Sequence, residues 1–157
     1  MPGKILLSEQ AIITFAAGVA ALASGSGALV GTLDCRASGN APDMFAALFS
    51  LQVQWATVTG IAAGTSVADL YLVPVLDGAT VPDVDLTPGA SYVPFQHRAG
   101  GPFVAAKAQT AAANALFQSG VVELMPVLYN VYIINRSGQT ISSGWTMKAL
   151  AAAAQYT

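Results

Sequence analysis

Asp69-Leu70-Tyr71-Leu72-Val73-Pro74-Val75-Leu76-Asp77-Gly78 is a run of strand-forming residues closed by a turn dipeptide. In an extended chain Leu70, Leu72 and Leu76 fall on one face and Tyr71, Val73 and Val75 on the other, so a strand here is apolar on both sides. A strand of that kind is buried in the middle of something, which makes the rest of the chain further strands laid against it. Pro74 cannot donate to a ladder, which confines it to an edge, a bulge or a bend. Asp77-Gly78 supplies the positive φ of a tight turn.

Working outward, Phe45, Ala47, Phe49, Leu51, Val53 and Trp55 alternate with Ser50, Gln52 and Gln54, which predicts a strand with one face on a core and an uncharged polar face outside. Ala28 to Cys35 reads as a strand after a Ser/Gly turn at 24–27, and Ile61 to Ser66 turns the chain into the Asp69 strand. Between Ser8 and Ser24 the residues fit a short helix or a strand: Ser8 is a good N-cap, whereas Ile12, Ile13 and Thr14 favour extension. Ala79 to Pro94 is a Pro- and Asp-rich loop. Tyr92 to His97 and Gly100 to Ala106 are short strand candidates, and Thr110 to Ala115 fits a strand or one helical turn. Val121 to Asn135 is a second apolar run, turned by Asn135-Arg136-Ser137-Gly138. A last strand carries Trp145, Met147 and Ala149 opposite Thr146 and Lys148, followed by an Ala151 to Ala154 tail. The expected fold is all-β: one antiparallel β-sandwich or jelly roll of roughly seven or eight strands. Residues 1–27 form an N-terminal arm and first element, and residues 28–157 the sandwich.

The composition is apolar and charge-poor. Of 157 residues 54% are hydrophobic and 9% charged, against about 25% charged in an ordinary domain, and the mean hydropathy is +0.58. A chain this long buries only about 70% of its unfolded surface, so part of an apolar exterior is expected to be covered by copies of itself or by another protein. A net charge of −2 and six scattered basic residues argue against nucleic acid. The uncharged run after Gln10 invites signal-peptide and membrane readings. Glu9 disfavours the first, and Gly18 with the glycines and serines of 24–27 breaks the second at too short a length.

Chemistry-bearing motifs are sparse. Cys35 is the single cysteine and His97 the single histidine, so a Cys–His pair would need these two, and the expectation is a buried structural thiol and a surface or interface histidine. Asp83 and Asp85 are two carboxylates two residues apart without the further ligands a calcium loop uses, so no metal is expected. The glycines of 25–31 do not keep dinucleotide-fingerprint spacing, and Asn135-Arg136-Ser137 matches the glycosylation sequon but reads as a turn. No nucleophile, zinc or dithiol motif is present, so the chain reads as no enzyme, with no cofactor and no small-molecule substrate.

Leu6-Leu7-Ser8-Glu9, Asp69 to Pro74 with Leu76-Asp77-Gly78, and Asn135-Arg136-Ser137-Gly138-Gln139 before a final strand resemble a family of small bacteriophage virion structural proteins. The resemblance spans most of the chain and rests on strand and turn signatures. It implies a β-sandwich capsid decoration (cement) protein on the capsid surface, made in the host cytoplasm, with the major capsid protein and copies of itself, as dimer or trimer, for partners. Candidate interface residues are Ile5, Leu6 and Leu7, on an arm that would pair with a neighbouring sheet edge, and Tyr92, Phe95, His97 and Phe103. The alternative is a phage tail or fibre domain, or a carbohydrate-binding module stacking sugars on Trp55, Tyr71, Tyr92 or Trp145.

Overall fold

A computed structural model describes residues 5–9, 12–15, 20–36, 44–55, 60–75, 101–109 and 114–156. Every regular element among them is a strand: β1 (Ile5–Glu9), β2 (Ile13–Thr14), β3 (Gly27–Asp34), β4 (Met44–Gln54), β5 (Ser66–Val75), β6 (Pro102–Val104), β7 (Asn114–Glu123), β8 (Leu128–Asn135) and β9 (Thr146–Tyr156). They form two antiparallel sheets. The first runs β1–β9–β4–β7, with β2 also on the outer side of β9, and the second runs β3–β8–β5–β6. β1 pairs with Ala152–Tyr156 and β2 with Lys148–Ala149, so the two make one interrupted edge strand along β9.

The core lies between the sheets. Phe49, Leu51 and Val53 of β4, Phe117 of β7 and Met147 and Ala149 of β9 meet Leu33, Leu70, Leu72, Val131, Ile133 and Phe103 of the second sheet. Each fully buried Leu, Ile or Phe contributes about 1.5–3 kcal/mol. As its sequence requires, β5 is buried on both faces. Leu70 and Leu72 join the core, while Tyr71 and Val73 form a second cluster with Tyr132 and Ile134 on the far face of the sheet.

The pairing also explains Pro74. Arg136 N–H donates to the Val67 carbonyl at 2.8 Å, which makes the odd-numbered residues of β5 the ones hydrogen-bonded to β8. Pro74 is even and lies opposite Tyr129, so its missing donor faces away from β8. On that side β6 pairs only as far as Asp69, and no ladder bond is lost.

One local device recurs three times. A buried aliphatic residue in an isolated β-bridge (Leu22, Ile61, Ile141) is followed three positions later by a glycine at φ 81°, 82° or 85° (Gly25, Gly64, Gly144), and a strand then departs. In the first two the residue after the glycine donates back across the turn, Ser26 N–H to Ala23 at 3.1 Å and Thr65 N–H to Ala62 at 3.2 Å. A positive φ at the third position is the geometry of a type II turn. These turns launch β3, β5 and β9.

Several sequence expectations need correction. Phe45 does not share the inner face of β4: the register shifts between Met44 and Ala46, and this bulge turns Phe45 outward, 40% exposed. The Val121 to Asn135 run is two strands in different sheets, the end of β7 and all of β8. Between them Val127 N–H turns back to the Met125 carbonyl at 2.8 Å, and Tyr129 Oη accepts from Met125 N–H at 3.0 Å. The alanine tail is part of β9, since neighbours on both sides supply pairing that alanine's weak strand preference does not. The segment from Ser8 is extended where described. Leu76 to Gly78, Asp83 and Asp85 lie outside the described residues.

Candidate interaction surface

The residues singled out from the sequence do not come together. Ile5, Leu6 and Leu7 lie in β1, whose backbone pairs with Tyr156, Gln155 and Ala154 of the same chain, so the segment is the edge of its own sheet rather than a free arm. Phe103 sits opposite Ala68 in β6 and is completely buried. Its neighbour Val104 is the residue turned outward, because alternation along a strand sends successive side chains to opposite faces. Phe103 is thus a core residue, not an interface residue. Tyr92, Phe95 and His97 lie outside the described residues.

Several polar groups among the described residues serve the structure. Cys35 is buried, and desolvation, reinforced by the Asp34 charge, pushes its thiol up to about 11, so it carries almost no thiolate near neutrality. The Asp34 carboxylate is held below its usual range mainly by its hydrogen bonds to the Arg36 guanidinium, at 2.8 and 2.7 Å, on an exposed turn. Arg136 Nε donates to Asp69 Oδ2 at 2.9 Å. Desolvation works against the Arg136 charge, and hydrogen bonds to Asp69 and Tyr71 more than offset it. Asn135 is fully buried with all four side-chain positions used: Nδ2 donates to the Leu22 and Gln139 carbonyls at 2.8 and 2.7 Å, and Oδ1 accepts from Ser137 N–H and Oγ–H at 3.0 and 2.6 Å. No three His, Cys, Asp or Glu side chains converge among the described residues. The Trp55 indole N–H is buried and meets no acceptor among them. The described residues contain no helix long and apolar enough to cross a membrane.

What the fold does assemble is the outward face of the first sheet. Reading the register across β9, β4 and β7 gives successive rows: Ala152, Ala46 and Glu123; Leu150, Leu48 and Val121; Lys148, Ser50 and Gln118; Thr146, Gln52 and Leu116. Gln54 and Asn114 extend the face at one end. Val121 is 74% and Leu116 64% exposed, while Leu48 and Leu150 are partly covered. Lys148 and Glu123 carry the charge in these rows, and the register continues the first of them to Glu9 of β1, opposite Ala152. Sequence reasoning recognised the uncharged polar side of β4 but not this patch, whose members stand in three strands up to about a hundred residues apart.

No family model and no curated protein matches the chain. Among solved structures, the VP1 protein of Trichodysplasia spinulosa-associated polyomavirus aligns at 8% identity with a TM-score of 0.14, over 99% of this chain and 78% of that one. VP1 of the same virus in complex with sialylated precision glycooligomers aligns at 10% identity with a TM-score of 0.14, over 94% and 77%. Overlap that low is no likeness of fold, and it carries no argument.

Proposed function

We propose that the chain is a structural protein of a bacteriophage virion, a capsid decoration (cement) protein that binds and stabilises the lattice of the major capsid protein. The observation that carries this reading is a two-sheet scaffold whose first sheet turns a charge-poor face outward, with exposed Leu116 and Val121 on it. A protein displayed in many copies needs a fixed shape and adhesive surface, and modest contacts suffice when several act together. The strand order gives support by analogy. With β1 and β2 counted as one interrupted strand, β1/β2–β9–β4–β7 over β3–β8–β5–β6 follows the winding of a jelly roll, an architecture common in viral capsid domains and also in lectins.

The sequence resemblance to phage virion proteins supplies the capsid assignment within that class. Of the four aromatic residues on which the carbohydrate-binding alternative would stack sugars, Trp55, Tyr71 and Trp145 are buried and Tyr92 lies outside the described residues. The test is co-sedimentation of the purified chain with purified capsid shells that lack it. Saturable binding is the expected result. A chain left in the supernatant at all shell concentrations would sink the capsid assignment and send the search to tail components and glycans.

A further inference from the structure

The outward face of the second sheet is buried although none of the described strands lies on it. Alternation along β5 and β8 sends Tyr71, Val73, Tyr132 and Ile134 to the side away from the core, with Tyr71 beside Tyr132 and Val73 beside Asn130. None of the four is more than 2% exposed. The first sheet shows what an open face looks like: Leu48, in a central strand with neighbours on both sides, is only partly covered, and Leu116 and Val121 are 64% and 74% exposed. Neighbours in the plane of a sheet do not hide a tyrosine, which has about 150–250 Å² to bury. Arg136, bonded to Asp69 and Tyr71, accounts for one end of the face and not for Val73 further along β5. The cover also has limits. Leu29, beside Tyr132 on β3, is 41% exposed, and Val104 on β6 is 40% exposed, so it follows β5 and β8 and stops short of both edges.

The burial is complete within a single chain, so the occupant is neither a second copy nor a partner. The course of the chain says which segment it is. β5 ends at Val75, and β6 returns at Pro102 opposite Asp69, so residues 76–100 leave and rejoin the same sheet beside the buried patch. Those two points are about 20 Å apart along β5, whereas a stretch of 25 residues reaches about 80 Å when extended. Every other stretch outside the described residues has seven residues or fewer. The longest of these, 37–43, is closed at its base, where Met44 N–H donates to the Cys35 carbonyl at 3.2 Å. The composition of 76–100 suits the face as well: Val81, Val84, Leu86, Tyr92, Val93 and Phe95 supply apolar groups for two tyrosines, a valine and an isoleucine.

We infer that the outward face of the second sheet, centred on Tyr71, Val73, Tyr132 and Ile134, is the docking surface for residues 76–100 of the same chain. The inference goes beyond the capsid reading and does not depend on it. It gives Tyr92 and Phe95, singled out from the sequence as partner contacts, an apolar surface of their own chain to meet. It also leaves the second sheet little to offer a partner beyond its margins, at exposed Leu29, Thr32 and Val104.

Photo-crosslinking in the full chain tests it. Leu29→benzoylphenylalanine places the probe at the exposed margin of the patch, beside Tyr132. It is expected to crosslink within one chain to residues of 76–100, as mass spectrometry of the digest would read. Crosslinks only elsewhere in the chain, crosslinks between two chains, or none at all would overturn the inference. A second variant reads the face itself, with 77–99 replaced by about eight glycines and serines, enough to bridge the two ends. While its circular dichroism keeps the sheet signal, tetranitromethane is expected to nitrate Tyr71 and Tyr132 about tenfold faster or more than in the wild type, where only local opening admits the reagent. Equal rates in the two proteins would also sink the inference. Where that variant fails to fold, the crosslink decides alone. Shell binding is not part of either readout, so the two readings fail separately.

Discussion

At Asn135 the triplet Asn-Arg-Ser has two readings, a glycan acceptor and a turn, and burial decides between them. An amide nitrogen that is inaccessible and donates both its hydrogens to carbonyls cannot meet a transferase in the folded chain. Its work is to tie the Leu22 turn to the Gln139 turn at one end of the sandwich, where Leu22 and Ile141 also exchange backbone bonds at 2.9 and 3.0 Å. Asn135→Asp turns two donors into acceptors facing the Leu22 and Gln139 carbonyls. It is expected to cost about 2–4 kcal/mol, because buried groups left unpaired forfeit their solvation. That corresponds to a Tm lower by roughly 5–15 °C in calorimetry. A loss under 2 °C would mean that the site relaxes to admit water. Gly31 is a second single-residue constraint: at φ 156° a Cβ would approach the Phe15 ring, itself stacked on Phe49 with centroids 6.3 Å apart, to 3.1 Å. Gly31→Ala is expected to destabilise by about 1–3 kcal/mol in urea unfolding. An unchanged midpoint would show that Phe15 moves aside freely.

Elements show what a sequence can and cannot disclose. The three turns at Gly25, Gly64 and Gly144 place an added Cβ in open space, so an alanine there is resisted by the backbone alone. Each Gly→Ala change should cost about 1 kcal/mol. The triple variant should lose about 3 kcal/mol if the turns act independently, which chemical denaturation of the four proteins would read. The signal was present in Leu22-Ala-Ser-Gly25, Ile61-Ala-Ala-Gly64 and Ile141-Ser-Ser-Gly144, yet each looks like any small-residue turn until the bridges align them. β3, β4 and β5 were legible because period-two alternation or a two-faced apolar run survives in one strand read alone. Phe45 was misplaced because a bulge inserts a residue without changing composition. β7 and β8 merged because apolar residues flank Pro126 on both sides, and only the partner strand tells which sheet each half joins. The alanines of β9 read as a tail because their extension is imposed by β1 and β4. The outward patch has no contiguous signature at all, since Leu48, Val121 and Leu150 become neighbours only through pairing. Phe103 was read as surface because a short strand of three residues reveals no parity.

At the scale of the whole molecule, burial of two acidic groups makes stability sensitive to alkali. Two acidic groups are held neutral by burial: the Cys35 thiol, pushed up to about 11 from 9.0, and the Tyr132 hydroxyl, pushed up to about 12 from 10.0. In both the folded value lies above the unfolded one, so the fold favours the protonated form. The stability linked to them is fully present below pH 9, where neither group ionises in the unfolded chain. It is lost as pH rises, through about 9 to 11 for Cys35 and about 10 to 12 for Tyr132, because unfolding then releases protons. A shift of two units is on the order of 2–3 kcal/mol per group. That is a large share of the roughly 5–15 kcal/mol that holds a domain folded. Urea unfolding measured from pH 7 to 11 should therefore show stability falling from pH 9 upward. Cys35→Ala, which has no thiol to ionise, should be weaker than wild type at pH 7 through the lost side-chain volume but decline less steeply between pH 9 and 11. Parallel declines in the two proteins would place the alkaline sensitivity elsewhere, and at neutral pH rapid reaction of native Cys35 with a thiol reagent would contradict its burial outright.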